Sequence, residues 1–139
     1  MIELKIHSRE HTEFIVLTPS IQRTITEQGW KEGVVTIYVP HTTAGVAIQE
    51  NADPDVVRDM IYALEKADPW RDSQYRHGEG NTAAHVKAAM LGSSAQCLVE
   101  KGRLRLGAWQ GIFFCEFDGP RNREVWVNFC PTTSPSSAG

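Results

Sequence analysis

The stretch "RLRLGAWQGIFFCEFD", Arg103 to Asp118, decides how the chain is built. It reads as strand, with Trp109 and Gln110 following a glycine in mid-sheet, where a bulge or the close approach of another backbone is accommodated. Glu116 and Asp118 alternate with Phe117 and so share one face by the two-residue period of a strand. Two readings follow: paired carboxylates that bind a cation, or a solvent-facing edge, the more frequent reason for such alternation. On either side lie "AQCLVE" (95–100) and "REVWVNF" (123–129), set off by turns at Lys101-Gly102 and "DGPRN". Beyond Gly92 the pattern is therefore predicted as strands joined by turns, up to the polar tail.

Upstream, "IELKIH" (2–7) and "EFIVL" (13–17) predict a hairpin across a polar turn. Thr18 and Pro19 offer a helix start, with Ile21 and Ile25 on one face and Gly29 as the stop. "VVTIYVP" (34–40) is β-branched and aromatic and ends at Pro40; "AGVAIQE" (44–50) is the next strand. Asp53-Pro54 opens the clearest helix, where Val56, Val57, Met60, Ile61 and Leu64 recur at helical spacing until Asp68-Pro69. A last helix starts at Asn81 or Thr82 and ends at Gly92. About seven strands and three helices make an α+β single domain with an antiparallel sheet system over residues 1–131, followed by a small, polar tail at 132–139.

Composition narrows the function classes. With 139 residues there is room for one core, and 41% hydrophobic with 22% charged residues is ordinary for a globular domain. No apolar run reaches membrane-spanning length, and the N-terminus "MIELKIHSRE" alternates where a secretory signal would be continuously apolar, so a cytoplasmic location with no membrane partner is expected. A net charge of −3 and the absence of a Lys/Arg-rich block argue against nucleic acid. Cys97, Cys115 and Cys130 lack metal or redox spacing and are expected as buried, reduced thiols. Neither a Walker-type nor a Rossmann-type motif occurs, so no nucleotide cofactor is expected.

Polar residues capable of chemistry are bunched. His41, Thr42 and Thr43 end one strand and Gln49, Glu50 and Asn51 end the next, and a short hairpin would bring both groups to one rim. Turn and cap duties for these side chains are about as plausible as function. In "YRHGEGNTAAHVKAAMLG" (75–92), His77 and His85 flank Asn81. Taken singly, each histidine is better explained as a structural imidazole and Asn81 as a helix cap. The free N–H groups and positive dipole end of the Asn81 helix are nonetheless suited to a phosphate, with Arg76 and His85 beside it.

Taken together, "HTTAGVAIQENADPDVVRDM", "YRHGEGNTAAH" and "LGSSAQCLVEKGRLRLGAWQGIFFCEFDGPR" resemble the uncharacterised YjbQ (UPF0047) family, for which a secondary thiamine-phosphate synthase activity is implied and the physiological reaction is open. The resemblance implies an α+β fold, a homotrimer and a site built from His41, Thr43, Glu50, Asn51, His77, Asn81, His85, Trp109, Gln110 and Asp118. Ala108 stands where the family usually has threonine before Trp-Gln. The implied activity joins a pyrimidine diphosphate to a thiazole phosphate with loss of pyrophosphate. Catalytic roles are expected for His41, Thr43, Glu50, Asn51, Trp109, Gln110 and Asp118. Arg76, Asn81 and His85 are expected on the phosphate of a phosphorylated small molecule. A divalent metal, Zn or Mg, is expected on His41, His77 and His85, converging in a cleft that a neighbouring copy closes. The alternative is a metal- or phosphate-binding protein with little intrinsic catalysis.

Overall fold

Residues 1–132 are described by a computed structural model. The 103–118 stretch is not one strand. It divides into β6 (Arg103–Leu104) and β7 (Gln110–Glu116), which lie in different sheets. The break is a tight turn in which Gln110 N–H donates to the Gly107 carbonyl (3.0 Å) and Gly107 N–H donates to Gln110 Oε1 (2.8 Å). Eight strands result, one more than the pattern suggested.

The others are β1 (Ile2–His7), β2 (Glu13–Val16), β3 (Gly33–Tyr38), β4 (Ala44–Glu50), β5 (Ser94–Glu100) and β8 (Asn122–Pro131). They form a five-stranded sheet in the order β1-β8-β3-β5-β6 and a three-stranded sheet in the order β2-β7-β4, with every neighbouring pair antiparallel. The hairpin expected from β1 and β2 does not form; β1 pairs with β8 and β2 with β7. Its connection instead crosses between sheets. Ser8 N–H donates to the Arg121 carbonyl, and Glu13 Oε1 accepts from the N–H groups of Arg9 and Glu10. β3 and β4 separate in the same way, so the His41 and Glu50 groups do not share a rim.

Between the sheets lies one core. Val35 and Ile37 of β3, Val125 and Val127 of β8 and Val99 of β5 meet Val46, Ile112 and Phe114 of the smaller sheet, with Ile21 and Ile25 of α1 (Thr18–Gln28) closing it. The far face of the smaller sheet carries a second cluster, where Phe113, Cys115 and Phe117 pack on Ala84 and Ala88 of α3 (Thr82–Leu91). β7 is thus covered on both faces, which is why its sequence is continuously apolar.

α1 begins at Thr18, the residue expected as its cap. Leu17 is the N-cap, and Thr18 Oγ1 accepts from Ile112 N–H (2.9 Å), joining α1 to β7. α2 (Pro54–Ala67) is capped as expected by Asp53, whose side chain accepts from Asp55 N–H (2.9 Å). Its apolar stripe is only half covered: no residue of α2 is buried. Cys97 and Cys115 are buried, as expected; Cys130 is exposed, because the β8 alternation that turns Val125 and Val127 inward turns residue 130 outward. No described helix is long and apolar enough to cross a membrane. Thr132 N–H donates to the Glu32 carbonyl (2.9 Å), and the rest of the expected tail, 133–139, lies outside the described residues.

Candidate functional site

Where β3 leaves the larger sheet at Pro40, residues 41–43 cross to β4 and face α3. His41, Thr42, Ala44, His85, Ala88, Ala89, Gly92 and Ser93 line a cleft of about 380 Å³ there. Small residues dominate its walls, so a ligand would meet backbone and two imidazoles. That volume is at the lower end of small-molecule pockets.

The 41–43 turn is held from below by a buried ionic network. Arg123 on β8 donates through Nε to Glu116 Oε1 (2.8 Å), through Nη2 to Glu116 Oε2, and through Nη2 to Thr43 Oγ1 (2.8 Å). Ser8 Oγ (2.7 Å) and the Asp118 N–H (3.0 Å) complete the shell of Glu116. Burial alone would push the Glu116 pKa up; the hydrogen bonds from Arg123, Ser8 and Asp118 N–H, with the Arg123 charge, outweigh it and hold the carboxyl below the usual value. Glu116 is therefore neither a cation ligand nor a solvent-facing residue. Arg123, Ser8 and Arg121 are not among the site residues expected from the sequence. The available signal was Arg123 itself, in phase with inward-facing Val125 and Val127, since a charge on a buried face needs a buried partner.

Asn81 heads α3, yet its side chain makes no cap bond. Nδ2 donates to Asp118 Oδ2 (2.8 Å), which also accepts from Arg121 Nη2 (3.0 Å), while the buried Asn81 Oδ1 has no partner. The start of α3 thus already faces a carboxylate of the chain itself, and the cleft lies further along the helix, beyond His85. Arg76 is exposed in the loop before α3 and does not line the cleft.

His77, also exposed, sets its ring edge-to-face on His85, with centroids 5.5 Å apart. It borders a neighbouring groove of about 610 Å³ with Trp70 and Tyr75. His41 approaches from the other side, its Nε2 accepting from Glu124 N–H (2.9 Å). That bond uses the Nε2 lone pair, so the three imidazoles do not form a ready cage within one chain. Two remain, one short of the usual three protein ligands of a catalytic zinc. Among the described residues no three His, Cys, Asp or Glu side chains are grouped to hold a metal ion.

The remaining expected residues stand elsewhere. Glu50 pairs with Gln110 at one end of the β4–β7 ladder, while Ala44 pairs with Glu116 at the other. Six residues of strand put roughly 20 Å between those ends. Asn51 N–H donates to the Trp109 carbonyl (2.7 Å), Gln110 closes its own turn, and Trp109 is exposed. In one chain, Glu50, Asn51, Trp109 and Gln110 form a second polar group remote from His41, Thr43, Asn81, His85 and Asp118.

Residues 2–132 match the family described as UPF0047 protein YjbQ-like. The chain belongs to that family. UPF0047 protein YugU of Bacillus subtilis is 48% identical over 124 residues, covering 89% of this chain and 94% of that protein. The crystal structure of a YjbQ/UPF0047 family protein from Clostridium acetobutylicum is 45% identical with a TM-score of 0.91, covering 94% of this chain and all of that one (100%). A conserved hypothetical protein from Thermus thermophilus is 41% identical with a TM-score of 0.88, over 94% of this chain and 100% of its own. The likeness extends over both sheets and all three helices of the YjbQ-like fold.

Proposed function

We propose that this YjbQ-like protein binds a phosphorylated small molecule in the His41–His85 cleft and acts there as a thiamine-phosphate synthase-type transferase. The carrying observation is the cleft: two imidazoles face a space walled by alanine and glycine, so an oxygen-rich group reaches fixed donors and backbone at once. When a pyrimidine diphosphate is joined to a thiazole phosphate, the bond to the diphosphate breaks and negative charge grows on the leaving pyrophosphate. Preorganised donors that meet this charge lower the barrier, one such donor being worth about 10²–10³ in rate. The proposed setting is the cytoplasm, and the proposed assembly a homotrimer.

The test is turnover by purified protein given both substrates and magnesium. Thiamine phosphate should accumulate, and His85→Ala should reduce the rate by about 10²-fold. Wild-type product at background level would remove the transferase reading. A second reading is favoured by the thiols: burial pushes the Cys97 and Cys115 pKa values up, so neither is a ready nucleophile. A binding protein with little chemistry of its own fits that observation. Calorimetry with phosphate, pyrophosphate and zinc separates the two, since heat of binding without turnover is its signature.

A further inference from the structure

The end of β3 fixes the hydrogen-bonding state of His41. The last β3–β8 pair is Tyr38 with Trp126, and beyond it Pro40 has no N–H and leads the chain away, so Glu124 lacks a strand partner on that side. The His41 ring takes the vacant place, accepting the Glu124 N–H at Nε2. A neutral imidazole carries one N–H and one lone pair. With the lone pair of Nε2 committed to a backbone amide, the proton resides on Nδ1. Turning the ring over would set a carbon against the amide and leave a part-buried N–H unpaired.

We propose that His41 serves the cleft as a fixed, neutral Nδ1–H donor to a phosphoryl oxygen, and is neither a metal ligand nor a proton acceptor. A metal on Nε2 would break the Glu124 bond, and one on Nδ1 would have to displace the remaining proton. The surroundings agree. Burial first, and the Arg123 guanidinium second, hold the His41 pKa below its usual 6.5, against the opposing pull of the Glu124 backbone hydrogen bond and then of the Glu116 and Glu124 carboxylates. His85, across the cleft, is the remaining titratable neighbour. The phosphoryl half of the assignment rests on the proposed function; the tautomer does not.

Nitrogen NMR of the intact, histidine-labelled protein near neutral pH reads the state directly. His41 should show a protonated Nδ1 and an unprotonated, hydrogen-bonded Nε2, unchanged on adding zinc, and pyrophosphate should move the Nδ1–H signal. An Nε2–H tautomer, an imidazolium, or loss of the Nδ1 proton on adding zinc would overturn the assignment. Two variants give a second arm. His41→Asn keeps a donor near the Nδ1 position, whereas His41→Gln keeps an acceptor for Glu124 N–H and leaves no donor at the Nδ1 position. Pyrophosphate binding should weaken roughly tenfold or more in His41→Gln, the loss of one hydrogen bond to a charged group, and less in His41→Asn. The reverse order would make His41 a merely structural cap. If the wild type binds no pyrophosphate while the tautomer is as stated, the phosphorylated-ligand reading falls and the tautomer stands.

Discussion

At the scale of single residues, Glu116 shows what a buried charge requires. It has no exposed surface, and both its oxygens are filled by Arg123, with Ser8 and the Asp118 amide completing the set. Removing one partner strands the other in a low-dielectric interior. Glu116→Ala is expected to cost about 3–5 kcal/mol, whereas replacing Glu116 and Arg123 together by apolar residues should cost much less. Urea midpoints measured at unchanged slope check both values. The same network sets an acid limit. Because the folded pKa of Glu116 is lowered, its contribution is fully present above the ordinary 4.5 and is lost as pH falls through the lowered value. His41 has the same sign in a higher window: its neutral form is favoured by folding, so stability is present above 6.5 and declines as pH falls below it. Melting temperature against pH should therefore fall in two steps, with Glu116→Gln abolishing the lower and His41→Gln the upper.

At the scale of elements, the cleft exists because α3 sits directly on the backbone of β4. Val46 N–H donates to the Gly92 carbonyl (3.1 Å), and a Cβ on Gly45 would lie 2.7 Å from that same oxygen and 3.3 Å from Leu91 Cβ. The obstacle is backbone, which cannot rotate aside as a side chain can. Gly45→Ala should cost about 1–3 kcal/mol and push the end of α3 away from the 41–43 turn. Thermal unfolding checks the first effect. The second appears as weaker pyrophosphate binding in the part of the population that remains folded, and unaltered affinity would show that the cleft tolerates the shift.

At the scale of the whole molecule, the polar residues fall at the two ends of the β4–β7 ladder, and the apolar stripe of α2 is only half covered. Trp109, Tyr62 and Met90 are exposed. One copy leaves this apolar surface in water, which a cyclic assembly would relieve by repeating one pair of patches. A homotrimer is expected, with light scattering giving three times the mass of one chain. A monomer mass at micromolar concentration would refute it. Charged substitutions on the stripe, Met60→Glu with Ile61→Glu, should lower the mass while leaving the sheet signal in circular dichroism intact.

What the sequence by itself determined was local. Alternation marked the strands, helical spacing marked α2, and Asp53-Pro54 marked where α2 begins, because each signal is carried by residues within a few positions of one another. Family membership was legible too, from "HTT", "YRHGEGNTAAH" and "GAWQG" in their order. Tertiary structure decided what those elements meet. A strand's alternation reports its own two faces and not its neighbour, so the β1–β2 hairpin was read where two sheets diverge. A carboxylate next to an apolar run, Glu116, looks the same whether it faces water or an arginine. Asn81, a good cap by residue type, turned its amide to Asp118, 37 positions away. Even the side of the His41 ring that carries its proton depends on a backbone amide 83 positions along the chain, brought there only because a proline ends β3 beside β8.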